Sequence, residues 1–421
     1  MKAVICGAGI AGLSLAQRLT TIGWDVVVIE RSPGPRTQGY MMDFFGLGYD
    51  AAQAMGVLPR MQELSYRVEE ICYVDESGRR RAGLNYARFE RVLNGRLLSI
   101  MRPDLELALR EQVIGEVDLR YGCGITHIEN STDGVHITLT DGTVLAADLL
   151  VGADGIHSSV RHMVFGDEEQ FLRYLGYHTA AYIFDDPQVY DYAHDRFCLT
   201  DTTERQMGFY GLRDGRVAAF AVHRTPDPTL PDDTQLAVRE AYSSLGWVVP
   251  RALAKCPTSS ELYYDQVAQI EIPQWSRGRV TLLGDACQAV SLLAGQGAAL
   301  AVAGAHVLGE QLVSAESIDS ALTRYQELWQ PVITEKQQVA RRGVGWFLPS
   351  SSLQLWLRRL VLKLTSLPGV DSYVGTRLVG KSHDHVGLRQ GSSIESDAQS
   401  CTMEDPAGAA LERAATSSSS G

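Results

Sequence analysis

The first thirty residues constrain this chain more than any other stretch. Lys2–Cys6 is an apolar strand pattern, Gly7-Ala8-Gly9-Ile10-Ala11-Gly12 is a glycine turn, and an apolar run with helical spacing follows. Asp25–Ile29 is a second strand pattern, and Glu30 at its end lies 18 residues after Gly12. Each part has a physical job. Gly7 permits a tight turn, Gly9 keeps side chains away from a pyrophosphate, and Gly12 lets the helix approach the sheet. The helix N-terminus offers unpaired N–H groups and the positive end of its dipole to phosphate. A carboxylate at Glu30 can accept hydrogen bonds from a ribose diol. The unit predicts a dinucleotide site, and these residues alone admit either NAD or FAD.

Composition narrows the remaining classes. The chain has 421 residues, more than one hydrophobic core normally serves, so at least two domains are expected. The net charge of −12 argues against nucleic acid as a partner, because phosphate tracks need clustered Lys and Arg. No uninterrupted apolar stretch is long enough to span a bilayer, so no stable membrane insertion is expected. The seven cysteines (6, 72, 123, 198, 256, 287 and 401) are widely spaced and form no CxxC pair. That pattern predicts neither a disulfide framework nor a metal site. The strand pattern begins at residue 2, leaving no room for a leader, and the cytoplasm is the expected compartment.

Further along, Arg31–Gly39 reads as a Pro- and Gly-rich loop, and Tyr40–Gly48 runs on with more glycine and aromatics before a helix over 49–55. Taken locally, Asp43 reads as a turn acid. Arg102 precedes Pro103, which fits a first helical turn. Asp141-Gly142 and Asp214-Gly215 are hairpin turns. Residues 147–155 form a buried strand ending in Gly152-Ala153-Asp154-Gly155, with Arg161 beyond; Asp154 reads either as a ligand group at a strand end or as a helix cap. Residues 170–275 alternate as strands of an inserted antiparallel sheet. Its aromatics Tyr182, Phe184, Phe209, Tyr210 and Phe220 could wall a pocket for a flat ligand or simply fill a core. A third buried strand ends at Gly284-Asp285, then Gly295-Gln296-Gly297 opens a small-residue helix over 298–313. Residues 318–341 and 353–364 read as helices, the second expected to pack on the protein, and the Ser-rich stretch 390–421 reads as a disordered tail.

Three motifs in this order, Gly7–Gly12 with Glu30, Gly152–Gly155, and Leu282–Ala286 with Ala294–Gly297, resemble the class A flavoprotein monooxygenases. This is the para-hydroxybenzoate hydroxylase group, and the pattern is nearest to polyketide-oxidising and tetracycline-inactivating members. The resemblance covers roughly residues 1–375. It implies FAD as cofactor, with NADPH or NADH as co-substrate. The implied fold is α/β: a Rossmann-like FAD-binding domain (1–70, 100–168 and 276–345), an inserted antiparallel-sheet substrate domain (71–99 and 169–275) and a C-terminal helical segment (346–389). The site residues it carries over are Gly7, Gly9, Ile10, Ala11, Gly12, Glu30, Asp43, Arg102, Asp154, Asp285, Gly295, Gln296 and Gly297. In the family the Asp154-Gly155 motif with Arg161 is associated with both FAD and NAD(P)H. The chain departs from the family at Cys287-Gln288, where Ala-His is common, and at Ser291-Leu292, where two prolines are common.

The implied reaction inserts one oxygen atom of O2, through a flavin C4a-hydroperoxide, into an aromatic or polycyclic small molecule. The cofactor carries that chemistry, so no catalytic acid–base pair or triad is required, and no residue stands out as one. Alternatives on the same scaffold are an epoxidase, a Baeyer–Villiger oxidant or a flavin oxidase. A flavin-binding protein without activity is the alternative of another class.

Overall fold

The computed structural model describes residues 1–36 and 38–364. The expected tail at 390–421 and the end of the C-terminal segment, 365–389, lie outside the described residues. The glycine-turn unit forms as the pattern predicts: strand Lys2–Cys6, helix Ile10–Thr21, strand Asp25–Ile29. These strands join a six-stranded sheet in the order Ser276–Arg277, Val280–Leu282, Leu149–Gly152, Lys2–Cys6, Asp25–Ile29, Asp118–Arg120. All its neighbours pair in parallel except the first two. The apolar runs Val4–Ile5, Val26–Ile29 and Leu149–Val151 are buried on both faces, as a covered parallel sheet demands. Helix Gly297–Ser314 is apolar and buried over most of its length and packs against the first helix.

The second sheet has seven strands, in the order Tyr263–Ile270, Leu172–Phe184, Val217–Arg224, Arg205–Gly211, Arg196–Thr200, Glu70–Val74, Arg80–Asn85. It is antiparallel apart from one parallel pair, Arg196–Thr200 with Glu70–Val74. The turn at Asp214-Gly215 closes the hairpin it predicts, with Gly215 at φ +83°. Strand alternation sorts the aromatics. Tyr182, Phe184 and Phe209 face outward into a core capped by helices Thr234–Tyr242 and Val249–Ala254. Tyr210 and Phe220 face inward, toward the first sheet's lobe. Three of the five aromatics considered for a pocket wall therefore belong to the outer core.

The glycine- and aromatic-rich stretch 40–48 contains a strand, Met41–Phe45, paired antiparallel with Leu97–Met101. Helix Ser352–Leu364 packs on the protein as expected, and it does so through the face that carries Arg358 and Arg359. Arg358 is buried, donates 2.8 Å hydrogen bonds to Asp201 Oδ1 and to the Phe347 carbonyl, and lies over the Tyr73 ring. Leu353, Trp356 and Leu357 of that helix point outward. Among the described residues no helix is long and apolar enough to cross a membrane.

Candidate functional site

The carboxyl ends of the parallel strands meet the inner face of the second sheet, and a cleft runs between them. Its wide arm, about 620 Å³, is bordered by Gly7, Gly9, Glu30, Arg36, Arg102 and Asp154. Its narrow arm, about 180 Å³, is bordered by Ile10, Ala11, Asp285, Ser291, Gly295 and Gly297. Gly9, Tyr40, Arg102, Gly155, Tyr263 and Asp265 border both, so the arms are continuous.

The glycine turn is built for close approach. Gly7 has φ +110°, and a Cβ there would lie 2.3 Å from the Ala153 carbonyl oxygen. A Cβ on Gly12 would lie 1.9 Å from the Gly7 carbonyl oxygen. On Gly9 it would meet nothing nearer than Arg102 Nη2 at 3.9 Å, so that face of the backbone is open to the cleft. The helix it starts has no side-chain cap and no acid in its first turn, which leaves its dipole free for an anion. This donor set fits the pyrophosphate of a dinucleotide. Glu30 stands at the end of its strand, accepting hydrogen bonds from the amides of Ala8 (3.0 Å) and Ser32 (2.8 Å).

Arg102 starts helix Arg102–Glu111 and donates to Glu106 Oε2 at 3.1 Å. Burial raises the Glu106 carboxyl above its usual range, opposed by Arg102 and Arg110. Asp285 opens the short helix Asp285–Gln288 and faces the narrow arm. Enclosure by protein raises its carboxyl, and Arg102 opposes that shift. Burial likewise pushes the phenols of Tyr40 and Tyr263 far up, so both stay protonated and can donate hydrogen bonds into the cleft.

Other expected residues lie elsewhere or are already engaged. Asp43 borders neither arm. Its carboxylate accepts from Tyr86 and, at 3.0 Å, from Ser99, because strand alternation turns it away from the side where Met42 meets the cleft. Gln296 also lies outside both walls, between Gly295 and Gly297. Asp154 borders the wide arm, yet both its oxygens are engaged by Ser158, Ser159 and Val160, so it also caps helix Ser159–Phe165. Arg161 is fully buried and bonds the carbonyls of Ala286 (2.9 Å) and Ile156 (2.7 Å), bracing two motifs from behind.

Sequence reasoning missed Arg36, His157, Tyr263 and Asp265 as wall residues, whereas Tyr40 lies in the Gly39–Asp43 stretch that the resemblance puts near the flavin. His157 bridges the two lobes, with Nδ1 2.8 Å from Glu168 and Nε2 3.2 Å from Asp265. The Asp265 and Glu168 carboxylates raise its pKa to about 9, against the opposing effect of burial. Arg36 lies in a stretch flagged only as a loop. Tyr263 and Asp265 lie in a strand that carries no motif.

Comparison with known proteins agrees with this geometry. The family model for the FAD binding domain matches residues 1–339. The uncharacterized protein Rv1260 of Mycobacterium tuberculosis is 31% identical over 318 residues, covering 74% of this chain and 85% of that one. The FAD-dependent monooxygenase asL6 of Sarocladium schorii is 30% identical over 387 residues, covering 82% and 88%. Among solved structures, the tetracycline destructase Tet(55) superposes with a TM-score of 0.75 at 25% identity, covering 89% of this chain and 96% of that one.

Proposed function

The chain belongs to the FAD-binding class A monooxygenase family and is an FAD-dependent monooxygenase; from that premise we propose that it draws electrons from NADPH or NADH and places one oxygen atom of O2 on an aromatic or polycyclic, natural-product-like small molecule. The observation that carries this reading is where the narrow arm ends. Tyr40 and Leu292 border it and also pack on the inner face of the second sheet, against the buried apolar and aromatic side chains of Tyr177, Tyr210, Phe220 and Val222. An arm backed by an apolar, aromatic core favours a flat ring system. The relatives support the class: asL6 is a fungal FAD-dependent monooxygenase, and Tet(55) is a tetracycline destructase.

In this reading the backbone from Gly7 to Gly12, including Ile10 and Ala11, holds the cofactor's pyrophosphate, and Glu30 holds its ribose. Arg102 offsets phosphate charge at the junction of the arms. Asp154 lines the same end. Asp285, Gly295 and Gly297 border the ring end, where the N-terminus of helix Gly297–Ser314 adds a positive dipole end. FAD, when bound, supplies the redox chemistry between the nicotinamide and O2. The protein's own part is orientation and dryness: the inner sheet face and Leu292 exclude water, which would otherwise divert the reaction to hydrogen peroxide. The lobes divide the work, residues 1–70, 100–168 and 276–345 holding the cofactor and the sheet of 71–99 and 169–275 reading the substrate.

The test is NADPH and NADH oxidation in air against a panel of phenols, polyketides and terpenoids, with product mass read in the same assay. The expected result is a gain of one oxygen on an aromatic or polycyclic member, with nucleotide consumption tied to it. Peroxide as the sole product from every compound overturns the monooxygenation of this substrate class.

A further inference from the structure

Five non-glycine residues among the described ones have positive φ. Four of them, Asn94, Asp195, Glu204 and Trp247, lie between +53° and +62°, in the left-handed helical region that L-residues do visit. Ser291 does not. Its φ is +117° and its ψ 133°, a region that belongs essentially to glycine, and it is buried on the wall of the narrow arm. A conformation of that kind persists only where the surroundings over-determine it.

The surroundings do so here. Gln269 reaches in from strand Tyr263–Ile270 and donates to the Val290 carbonyl at 2.7 Å and to the Gln337 carbonyl at 3.0 Å. Gln337, from helix Ile318–Phe347, donates to the Ala289 carbonyl at 3.0 Å and to the Ile270 carbonyl at 2.8 Å. Arg341, one helical turn on, donates to Gln269 Oε1 at 2.6 Å. Both glutamines are buried and both donate twice from their amide groups. The two carbonyls before Ser291 are therefore pinned. On its other side the Ser291 hydroxyl accepts the Leu293 amide at 3.2 Å and starts the turn Leu292–Ala294, which leads to Gly295. One residue is left to join a fixed segment to a fixed turn, and that residue is Ser291.

We propose that Gln269 and Gln337 are positioning residues that clamp the Ala289 and Val290 carbonyls, hold Ser291 in a backbone conformation it would not take alone, and thereby set the Ser291–Gly297 loop as the wall of the flavin arm. The link to flavin rests on the reading given under Proposed function. The clamp itself does not. This chain reaches its loop geometry through side chains held 21 and 48 residues away in sequence.

The test is a double-mutant cycle on the full chain, comparing Gln269→Leu, Ser291→Gly and the pair. Two quantities are read: the melting temperature without FAD, and the FAD dissociation constant by flavin fluorescence. Glycine takes the Ser291 conformation without strain, so Ser291→Gly alone raises the melting temperature by about 2 °C. Gln269→Leu alone lowers it and weakens FAD about tenfold, because two buried carbonyls lose a donor and the loop relaxes. In the pair, Ser291→Gly recovers most of the lost FAD affinity. Equal costs of Gln269→Leu with and without Ser291→Gly overturn the clamp, as does a fall in melting temperature for Ser291→Gly alone. If Gln269→Leu does not fold, Gln269→Glu repeats the cycle, since it keeps the acceptor for Arg341 and loses the donors. A wild-type chain that binds no FAD overturns the flavin reading, while the melting temperatures still decide the clamp.

Discussion

The two arms of the cleft solve one problem in opposite ways. Each must bring bare backbone to a ligand through a sharp turn. The wide arm does it locally, with glycines within six consecutive residues, and its contacts are fixed by that short stretch. The narrow arm places a serine where the backbone turns hardest and holds it with residues from a distant strand and a distant helix. A turn made of glycines is unstrained and intolerant of any added atom. A turn made by clamping stores strain and depends on remote side chains. Substitutions should therefore act differently at the two ends.

The largest effect belongs to the wide arm. Gly12→Ala puts a methyl group 1.9 Å from the Gly7 carbonyl oxygen, between a helix and a sheet that are both buried. The purified protein should carry no flavin colour, and its stability should fall by more than about 4 kcal/mol, the range reserved for overpacking and strain together. A yellow, stable Gly12→Ala protein would show that the helix can retreat from the turn, and the contrast between the arms would collapse. Next in size is Arg102→Ala. It removes the cation shared by both arms and takes from buried Glu106 its nearer ion-pair partner, leaving Arg110 at 4.0 Å. FAD affinity should fall about 10- to 100-fold, in line with the loss of charge-assisted hydrogen bonds to phosphate. Equilibrium dialysis against FAD measures it, and an unchanged constant would remove Arg102 from the binding set.

This contrast also explains what the sequence alone discloses. The parallel sheet, the glycine turn, the hairpins at Asp141-Gly142 and Asp214-Gly215 and the buried helix Gly297–Ser314 follow from contiguous patterns, and each forms where the pattern lies. The wall residues Tyr263 and Asp265 are not visible in that way, because their role comes from a strand crossing the cleft from the other sheet. Strand alternation separates Tyr210 and Phe220 from Tyr182, Phe184 and Phe209, yet which face is inward depends on what packs on it. Asp43 shows the converse. A motif match put it near the ligand, while its strand turns the carboxylate to Tyr86 and Ser99. Arg161 likewise sits inside a ligand-associated motif and braces it from behind. Spacing along the chain reports local turns well. It does not report which face of an element the rest of the fold will cover.

The smallest effect separates the arms by pH. His157 joins the lobes at the rim of the wide arm through Asp265 and Glu168, and its pKa is raised from the ordinary 6.5 to about 9 by those carboxylates. A raised folded-state pKa means the bridge contributes in full below about pH 6.5 and is lost as pH rises through about 9. The clamp of the narrow arm consists of amides, carbonyls and an arginine, none of which titrates in that window. His157 is partly exposed to solvent, so screening keeps its contribution small. Between pH 7 and 10 the wild-type melting temperature should drop by about 1 °C more than that of His157→Gln, a difference set by one weak bridge in a chain of this size. The penalty of Gln269→Leu should stay constant over the same range. Parallel pH profiles for wild type and His157→Gln would remove the bridge from the account of the rim, and a pH-dependent Gln269→Leu penalty would show that the two arms are coupled rather than independent.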